Sequence, residues 1–295
     1  MKAIVFGGSG FVGSHVADAL LTAGHEVTIF DLRPSRYLQD KQKFIQGDIL
    51  DYEAVQKAVA GQQVLYNFAG LADLNEASAR PADTVRLNIL GCVHLLQAAR
   101  SAQVKRFVFA SSIYVYSESG GFYRASKQAC ELYVEEFQRR YSLDYTILRY
   151  GTLYGRRADE TNSVHRYLRQ ALLERKISAS GTGDEVREYV HVSDAARVSV
   201  EILEDEFKNQ NVIITGHHPM KYGDFLSMIR EMVGRDVKID FTTAQENAFA
   251  HYTLTPYTFH PKIGKKLLSR SYLDMGQGLL DCLEEIHESK STSNS

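Results

Sequence analysis

The chain has 295 residues, 44% hydrophobic and 24% charged, which allows one good-sized core and a smaller second unit. A formal net charge of −2 gives no electrostatic reason to expect nucleic acid or a membrane surface as partner, and no apolar run approaches the roughly 20 residues that span a bilayer. Met1-Lys2 leads straight into an apolar stretch, so no cleavable signal and a cytoplasmic location are expected.

In chain order, Lys2–Phe6 is a short apolar run bounded by glycines and reads as a buried strand. Phe11–Ala23 carries Val12, Val16, Ala19, Leu20 and Ala23 at helical spacing and stops at Gly24. Strand Val27–Phe30, strand Lys43–Ile45, helix Tyr52–Ala60 and strand Gln63–Asn67 follow. Helix Pro81–Ala102, strand Arg106–Ala110, helix Phe122–Tyr141 and strand Tyr145–Arg149 continue the alternation. Short buried strands alternating with helices predict an α/β fold with a doubly wound parallel sheet. After Gly151 the regularity breaks into helix Val164–Glu174, a strand near Ile177, strand Glu185–His191, helix Ser193–Leu203, strand Val212–Thr215, helix Tyr222–Val233, strand Val237–Phe241 and a last helix near Met275–His287. This predicts a smaller mixed α/β region over the site, interleaved with the last strands of the sheet, and a disordered tail at Ser289–Ser295. Cys92, Cys130 and Cys282 fall in helical patterns and read as reduced, packed thiols; His217-His218 lacks companions at metal-ligand spacing, so no metal is expected.

In GGSGFVG, Gly7, Gly10 and Gly13 lie between a strand and a helix, the context that a dinucleotide fingerprint requires. Gly7 permits the tight turn, Gly10 lets backbone approach a pyrophosphate, and Gly13 lets the helix pack on the sheet. The helix start at Phe11 and Val12 offers free N–H groups to phosphate. Asp31 ends the second strand, where a carboxylate can accept both ribose hydroxyls and repel a 2′-phosphate. NAD is therefore expected over NADP, with Arg33 and Arg36 nearby weakening the contrast. In GDIL, Asp48 and Ile49 are placed to meet the adenine edge, with a helix N-cap as the alternative for Asp48.

FASSIYVY sets Ser111 and Ser112 at the C-terminal end of the fifth strand, where open parallel sheets bind ligands. GGFYRASK then puts Tyr123 and Lys127 four apart on one helix face. A second Tyr-x-x-x-Lys match, Tyr37 and Lys41, sits in the loop after Asp31 and reads as surface. A phenol is a poor base at neutral pH, and both an adjacent ammonium and a positive nicotinamide ring favour its phenolate. Ser112 can then hydrogen-bond the substrate oxygen while Tyr123 removes the hydroxyl proton and hydride leaves for nicotinamide.

Together these residues resemble the extended short-chain dehydrogenase/reductase family, nearest the NAD-dependent nucleotide-sugar epimerases and dehydratases, from Gly7 to about Tyr222. NFAGLAD resembles the His-Phe-Ala-Gly-Leu loop of UDP-galactose 4-epimerases with Asn67 in the His place, which makes Phe68, Ala69 and Gly70 cofactor contacts. Asn88 in RLNILG matches the Asn that opens the family's long helix. LRYGTLYGRR and GTGDEVREYVHVSDAA resemble two further segments, and family logic places Arg187 on the substrate diphosphate, against a surface ion pair with Glu185 or Glu188. The resemblance implies a Rossmann-type NAD-binding domain at 1–150 and a mainly substrate-binding region at 151–288. It implies Ser111, Ser112, Thr152, Asn162 and Arg187 as substrate contacts, and Ser112, Tyr123 and Lys127 as catalytic residues, the last two also touching cofactor.

Three departures stand out. Thr152 replaces the family's usual Asn, the stretch from Ser112 to Tyr123 is short, and the arginine completing the diphosphate clamp has no counterpart near AFAHYTLTPY, where His251 or Tyr252 could substitute. The family's 4,6-dehydratases and decarboxylases carry acids just after the active hydroxyl residue, where this chain has Ile113 and Tyr114. A C4 epimerase is therefore expected by elimination, with dehydratase, decarboxylase, reductase or non-catalytic dinucleotide-binding regulator as alternatives. Arg149, Arg156, Arg157, Arg166 and Arg169 make the second region basic enough for a diphosphate. Apolar residues beyond one stripe on the two long helices, including Leu95, Leu96, Leu132, Tyr133 and Phe137, predict a homodimer through a four-helix bundle.

Overall fold

The computed structural model describes residues 1–242. The expected helix at Met275–His287, the tail, Cys282, His251 and Tyr252 lie outside the described residues.

Seven strands form the central sheet: β1 (Lys2–Phe6), β2 (Glu26–Asp31), β3 (Lys43–Gln46), β4 (Val64–Asn67), β5 (Arg106–Ser112), β6 (Tyr145–Tyr150) and, much later in sequence, β10 (Gln210–Ile214). Their order is β10-β6-β5-β4-β1-β2-β3, and every pairing is parallel. The chain winds one way from β1 to β3 and the other way from β4 onward, so a crevice opens where β1 and β4 diverge at their C-terminal ends. Alternation within β1 divides the core: Ile4 and Phe6 face a cluster with Phe107, Phe109 and Leu95, while Ala3 and Val5 face one with Val16, Leu20 and Ala195.

Helices α1 (Phe11–Thr22), α2 (Tyr52–Val59), α5 (Gly91–Ser101), α6 (Gly121–Tyr141) and α8 (Val192–Glu201) cover the two faces. Asp51 caps α2 by accepting the Ala54 N–H at 3.1 Å. The expected single helix Pro81–Ala102 is broken: a one-turn α4 (Pro81–Thr84) leads through a π-helical turn (Val85–Leu90) into α5. A short α3 (Leu74–Ala79) precedes it, capped by Asp73 on the Glu76 N–H at 2.8 Å.

Two small sheets build the rest. Antiparallel β11 (Pro219–Lys221) and parallel β7 (Thr152–Tyr154) flank β9 (Val186–His191), and β12 (Lys238–Thr242) pairs in parallel with β8 (Lys176–Ser180). With α7 (Ser163–Glu174) and α9 (Tyr222–Val233) they enclose a third core around Tyr167, Ile177, Phe225 and Leu226. The chain returns twice to the main layer, through β10 at the sheet edge and through α8 against α1.

Candidate active site

Gly7 leaves β1 with φ +74°, and a Cβ there would lie 2.6 Å from the Ala69 nitrogen. No side chain fits that turn, and the loop stays pressed against the backbone after β4. Gly10 is the N-cap of α1 and has no capping side chain, which leaves the first N–H groups of the helix facing open space. A Cβ on Gly13 would strike the Gly7 carbonyl oxygen, so Gly13 admits loop backbone against the helix rather than the sheet itself. This backbone cradle at a helix N-terminus fits a dinucleotide pyrophosphate.

Asp31 sits at the end of β2 and accepts the Ser9 N–H at 3.0 Å and the Arg33 N–H at 3.2 Å, so the carboxylate also braces the glycine loop. Asp48 accepts the Leu50 N–H at 2.9 Å in an Asx turn; the N-cap role considered for it belongs to Asp51. The Ile49 side chain packs in the core, which leaves only its main chain toward any ligand. Phe68 and Gly70 line the crevice. Asn88 is buried in the π-helical turn, where its amide donates to the Leu71 carbonyl at 3.0 Å and Ser126 Oγ at 2.9 Å while its oxygen accepts the Leu71 N–H at 2.7 Å. It therefore shapes the loop after β4 from beneath, without lining the crevice.

The crevice has a volume of about 570 Å³ and takes in the glycine loop, Ser111, Ser112, Tyr123, Lys127, Thr152, Asn162 and Arg187. Ser112 closes β5, with Oγ 3.5 Å from the Tyr150 carbonyl and 3.3 Å from the Tyr114 nitrogen. The short connection to Tyr123 is a 3-10 turn (Ile113–Tyr116) followed by Gly120 at φ +96°. A Cβ on Gly120 would lie 2.8 Å from the Tyr114 ring, which itself stands edge-on to Tyr123 with centroids 6.3 Å apart. Lys127 is only 8% exposed, donates to the Ala110 carbonyl at 2.7 Å, and holds Nζ 5.6 Å from the Tyr123 ring centre. Tyr37 of the second Tyr-x-x-x-Lys match lies apart from this crevice, under the Arg157 guanidinium at 4.4 Å.

The substrate-side expectations divide. Ser111 Oγ is committed to Glu131 at 2.6 Å. Asn162 caps α7 through the His165 N–H at 3.1 Å and donates to the Leu153 carbonyl at 2.9 Å, so its amide is largely spent on the fold. Arg187 is not in a surface ion pair: it is 4% exposed, its guanidinium lies 4.3 Å over the Tyr222 ring, and its buried Nε lacks a partner. Glu185 instead accepts the Thr182 and Gly183 N–H groups, each at 2.9 Å. Arg187 still lines the crevice, and a guanidinium there suits an anionic ligand group. Of the five arginines expected to supply positive charge, Arg149, Arg157 and Arg169 are paired with Glu131, Asp18 and Glu160, whereas Arg166 lines the crevice.

Asp73, Leu74 and Asn75, not among the expected site residues, reach the crevice wall at the start of α3. Their signal was legible: Asp73 followed three residues later by Glu76 is a helix-start pattern. Leu95 and Leu96, expected as surplus surface, are fully buried in the core cluster with Leu65, Phe107 and Val134. Leu132 and Tyr133 on α6 remain exposed, at 64% and 47%.

Residues 3–215 match the family model described as the NAD dependent epimerase/dehydratase family. A UDP-glucose 4-epimerase of Pasteurella multocida is 31% identical over 242 residues, covering 66% of this chain and 71% of the relative. A dTDP-glucose 4,6-dehydratase of Streptomyces niveus is 28% identical over 226 residues, covering 67% of each. The crystal structure of Thermotoga maritima UDP-glucose 4-epimerase with UDP-glucose superposes with a TM-score of 0.79 at 25% identity, covering 88% of this chain and 90% of that one. The chain belongs to the NAD dependent epimerase/dehydratase family, and its cofactor is NAD. Among the described residues no helix is long and apolar enough to cross a membrane.

Proposed function

We propose that this family member is a nucleotide-sugar epimerase acting at C4 through a transient 4-keto sugar, with residues 1–150 holding NAD and 151–288 mainly the substrate. The observation that carries the reading is the convergence of Ser112, Tyr123 and Lys127 on the crevice that also holds the glycine loop. The Tyr123 phenolate takes the C4 hydroxyl proton, becoming the phenol, and returns it after the sugar has turned. Ser112 donates a hydrogen bond to the same oxygen as it becomes a carbonyl. Lys127, fixed on the Ala110 carbonyl, holds positive charge below the phenol. Bound NAD supplies the acceptance and return of hydride. Arg187, helped by Arg166, pairs with the diphosphate. Asp31 accepts the adenosine ribose hydroxyls.

The fate of the keto sugar turns on the two residues after Ser112. Dehydration or decarboxylation needs an acid–base relay there, and Ile113 and Tyr114 supply no carboxyl group. The epimerase needs only the trio and room for the keto sugar to rotate. Exposed Leu132 and Tyr133 on α6 support assembly as a homodimer through that helix.

The test is to purify the protein, measure NAD retained per chain, and incubate it with UDP-, GDP-, dTDP- and CDP-sugars. Interconversion of C4 epimers without added cofactor is the expected result. Release of water or carbon dioxide would move the assignment to dehydratase or decarboxylase, and NAD binding without turnover to a regulator. Light scattering at micromolar concentration should give twice the monomer mass.

A further inference from the structure

Tyr123, Lys127 and Glu131 recur every four residues on α6 and share one face. The two lower members hold consecutive residues of β5: Lys127 donates to the Ala110 carbonyl at 2.7 Å, and Glu131 Oε1 accepts the Ser111 hydroxyl at 2.6 Å. Arg149, directly opposite Ser111 in the β5–β6 register, completes the arrangement. Its Nε lies 3.0 Å from Oε1 and its Nη2 2.7 Å from Oε2 of Glu131, a two-pronged pair with side chains only 13% and 9% exposed. The remaining Nη1 donates to the Tyr116 hydroxyl, and the guanidinium lies 4.7 Å over the Tyr116 ring. Burial works against the Arg149 charge, yet the Glu131 carboxylate outweighs it and binds the guanidinium proton more firmly than usual.

We propose that the buried Glu131–Arg149 pair is a positioning device for the reacting trio, locking α6 along β5 so that Tyr123 and Lys127 stand at a set height against Ser112. The proposal rests on reading those three residues as the reacting groups. The network joins β5, β6, the 3-10 turn and α6, so it ties together every element that carries or connects the trio. It also manages charge. Glu131 is one turn from Lys127, and a carboxylate without Arg149 would draw the ammonium away from Ala110 and the phenol. Stability alone does not call for such a pair, because well-packed apolar residues of similar volume often serve as well.

The experiment compares Arg149→Met, Arg149→Lys, Ser111→Ala and Tyr123→Phe with the wild type. It uses the UDP-, GDP-, dTDP- or CDP-sugar that the wild type isomerises fastest, and measures kcat, KM, retained NAD and thermal midpoint. Misplacing reacting groups by about an ångström costs up to roughly 100-fold. Arg149→Met should therefore lose roughly 10–100-fold in kcat, with KM within about threefold and NAD retained. Arg149→Lys should recover part of that loss, and Ser111→Ala should lose less, about 3–10-fold. A folded Arg149→Met with wild-type kcat and only a lowered midpoint overturns the proposal, as does Arg149→Lys no better than Arg149→Met. If Arg149→Met does not fold, Ser111→Ala decides, since it removes one hydroxyl; an unchanged kcat there overturns the proposal. A fully active Tyr123→Phe overturns the site assignment and the positioning role with it. An inactive Tyr123→Phe beside an unimpaired Arg149→Met overturns the positioning role alone.

Discussion

The two walls of the crevice are built on different terms. On the glycine-loop wall each group is placed by backbone: Gly7 by a positive φ, Ser112 by a strand end, Asp31 by the end of β2. On the wall formed by β7, β9 and α7 the groups are placed by what the fold does with charge. Arg187 on that wall is buried against an aromatic ring with its Nε unpartnered, whereas Arg157, in the loop after β7 and outside the crevice lining, pairs with Asp18 at 2.7 Å. Backbone-dictated sites can be read locally. Charge-dictated sites depend on which carboxylates the tertiary structure brings near.

The largest effect should fall on the first wall. Tyr123→Phe removes one hydroxyl near the start of α6, so folding and NAD retention should persist. Turnover should drop by roughly 10²–10⁴, the range for losing a positioned acid–base group. Single-turnover reduction of bound NAD, followed by absorbance, checks it, and full activity would break the comparison at its strongest point.

Arg187→Met probes the second wall. A hydrogen bond to a charged group is worth about 1.5–3 kcal/mol, so KM should rise by roughly 10–100-fold with a smaller change in kcat. Titration with the nucleoside diphosphate alone should show the same loss. An unchanged affinity would mean that Arg187 is only structural.

Asp31→Ser sharpens the adenosine end. The NAD-over-NADP preference should shrink by about 10-fold, measured by calorimetry on stripped protein, because one buried-edge hydrogen-bonding charge is lost and a 2′-phosphate is no longer repelled. The loop should loosen as well, since Asp31 also accepts the Ser9 N–H. The smallest effect belongs to Tyr37→Phe. The ring beneath Arg157 is kept, and turnover should stay within about twofold, as for ordinary surface changes.

Strand and helix placement was largely legible, because period-2 and period-3.6 apolar patterns report directly which face is buried. Strands β1 to β6 and β10 and helices α1, α2, α6 and α9 fall within a few residues of expectation. Three features were not. The three-residue β7 and β11 exist only because β9 offers them hydrogen-bond partners, and a run that short carries no period. The π-helical turn at Val85–Leu90 leaves no trace in composition, yet it interrupts the expected helix and contains the buried Asn88.

By itself the sequence determined the parallel α/β class, the glycine cradle and the spacing that puts Tyr123 and Lys127 on one helix face. These arise from local sterics and helix periodicity, which act within a few residues. Tertiary structure alone decided that Ser111 faces Glu131, that Arg149 is spent within the protein, and that Arg187 is sealed over Tyr222. A hydroxyl or a guanidinium has many possible partners along the chain. Which one it meets depends on the register of β5 with β6 and on the docking of α6, contacts set by packing between segments far apart in sequence.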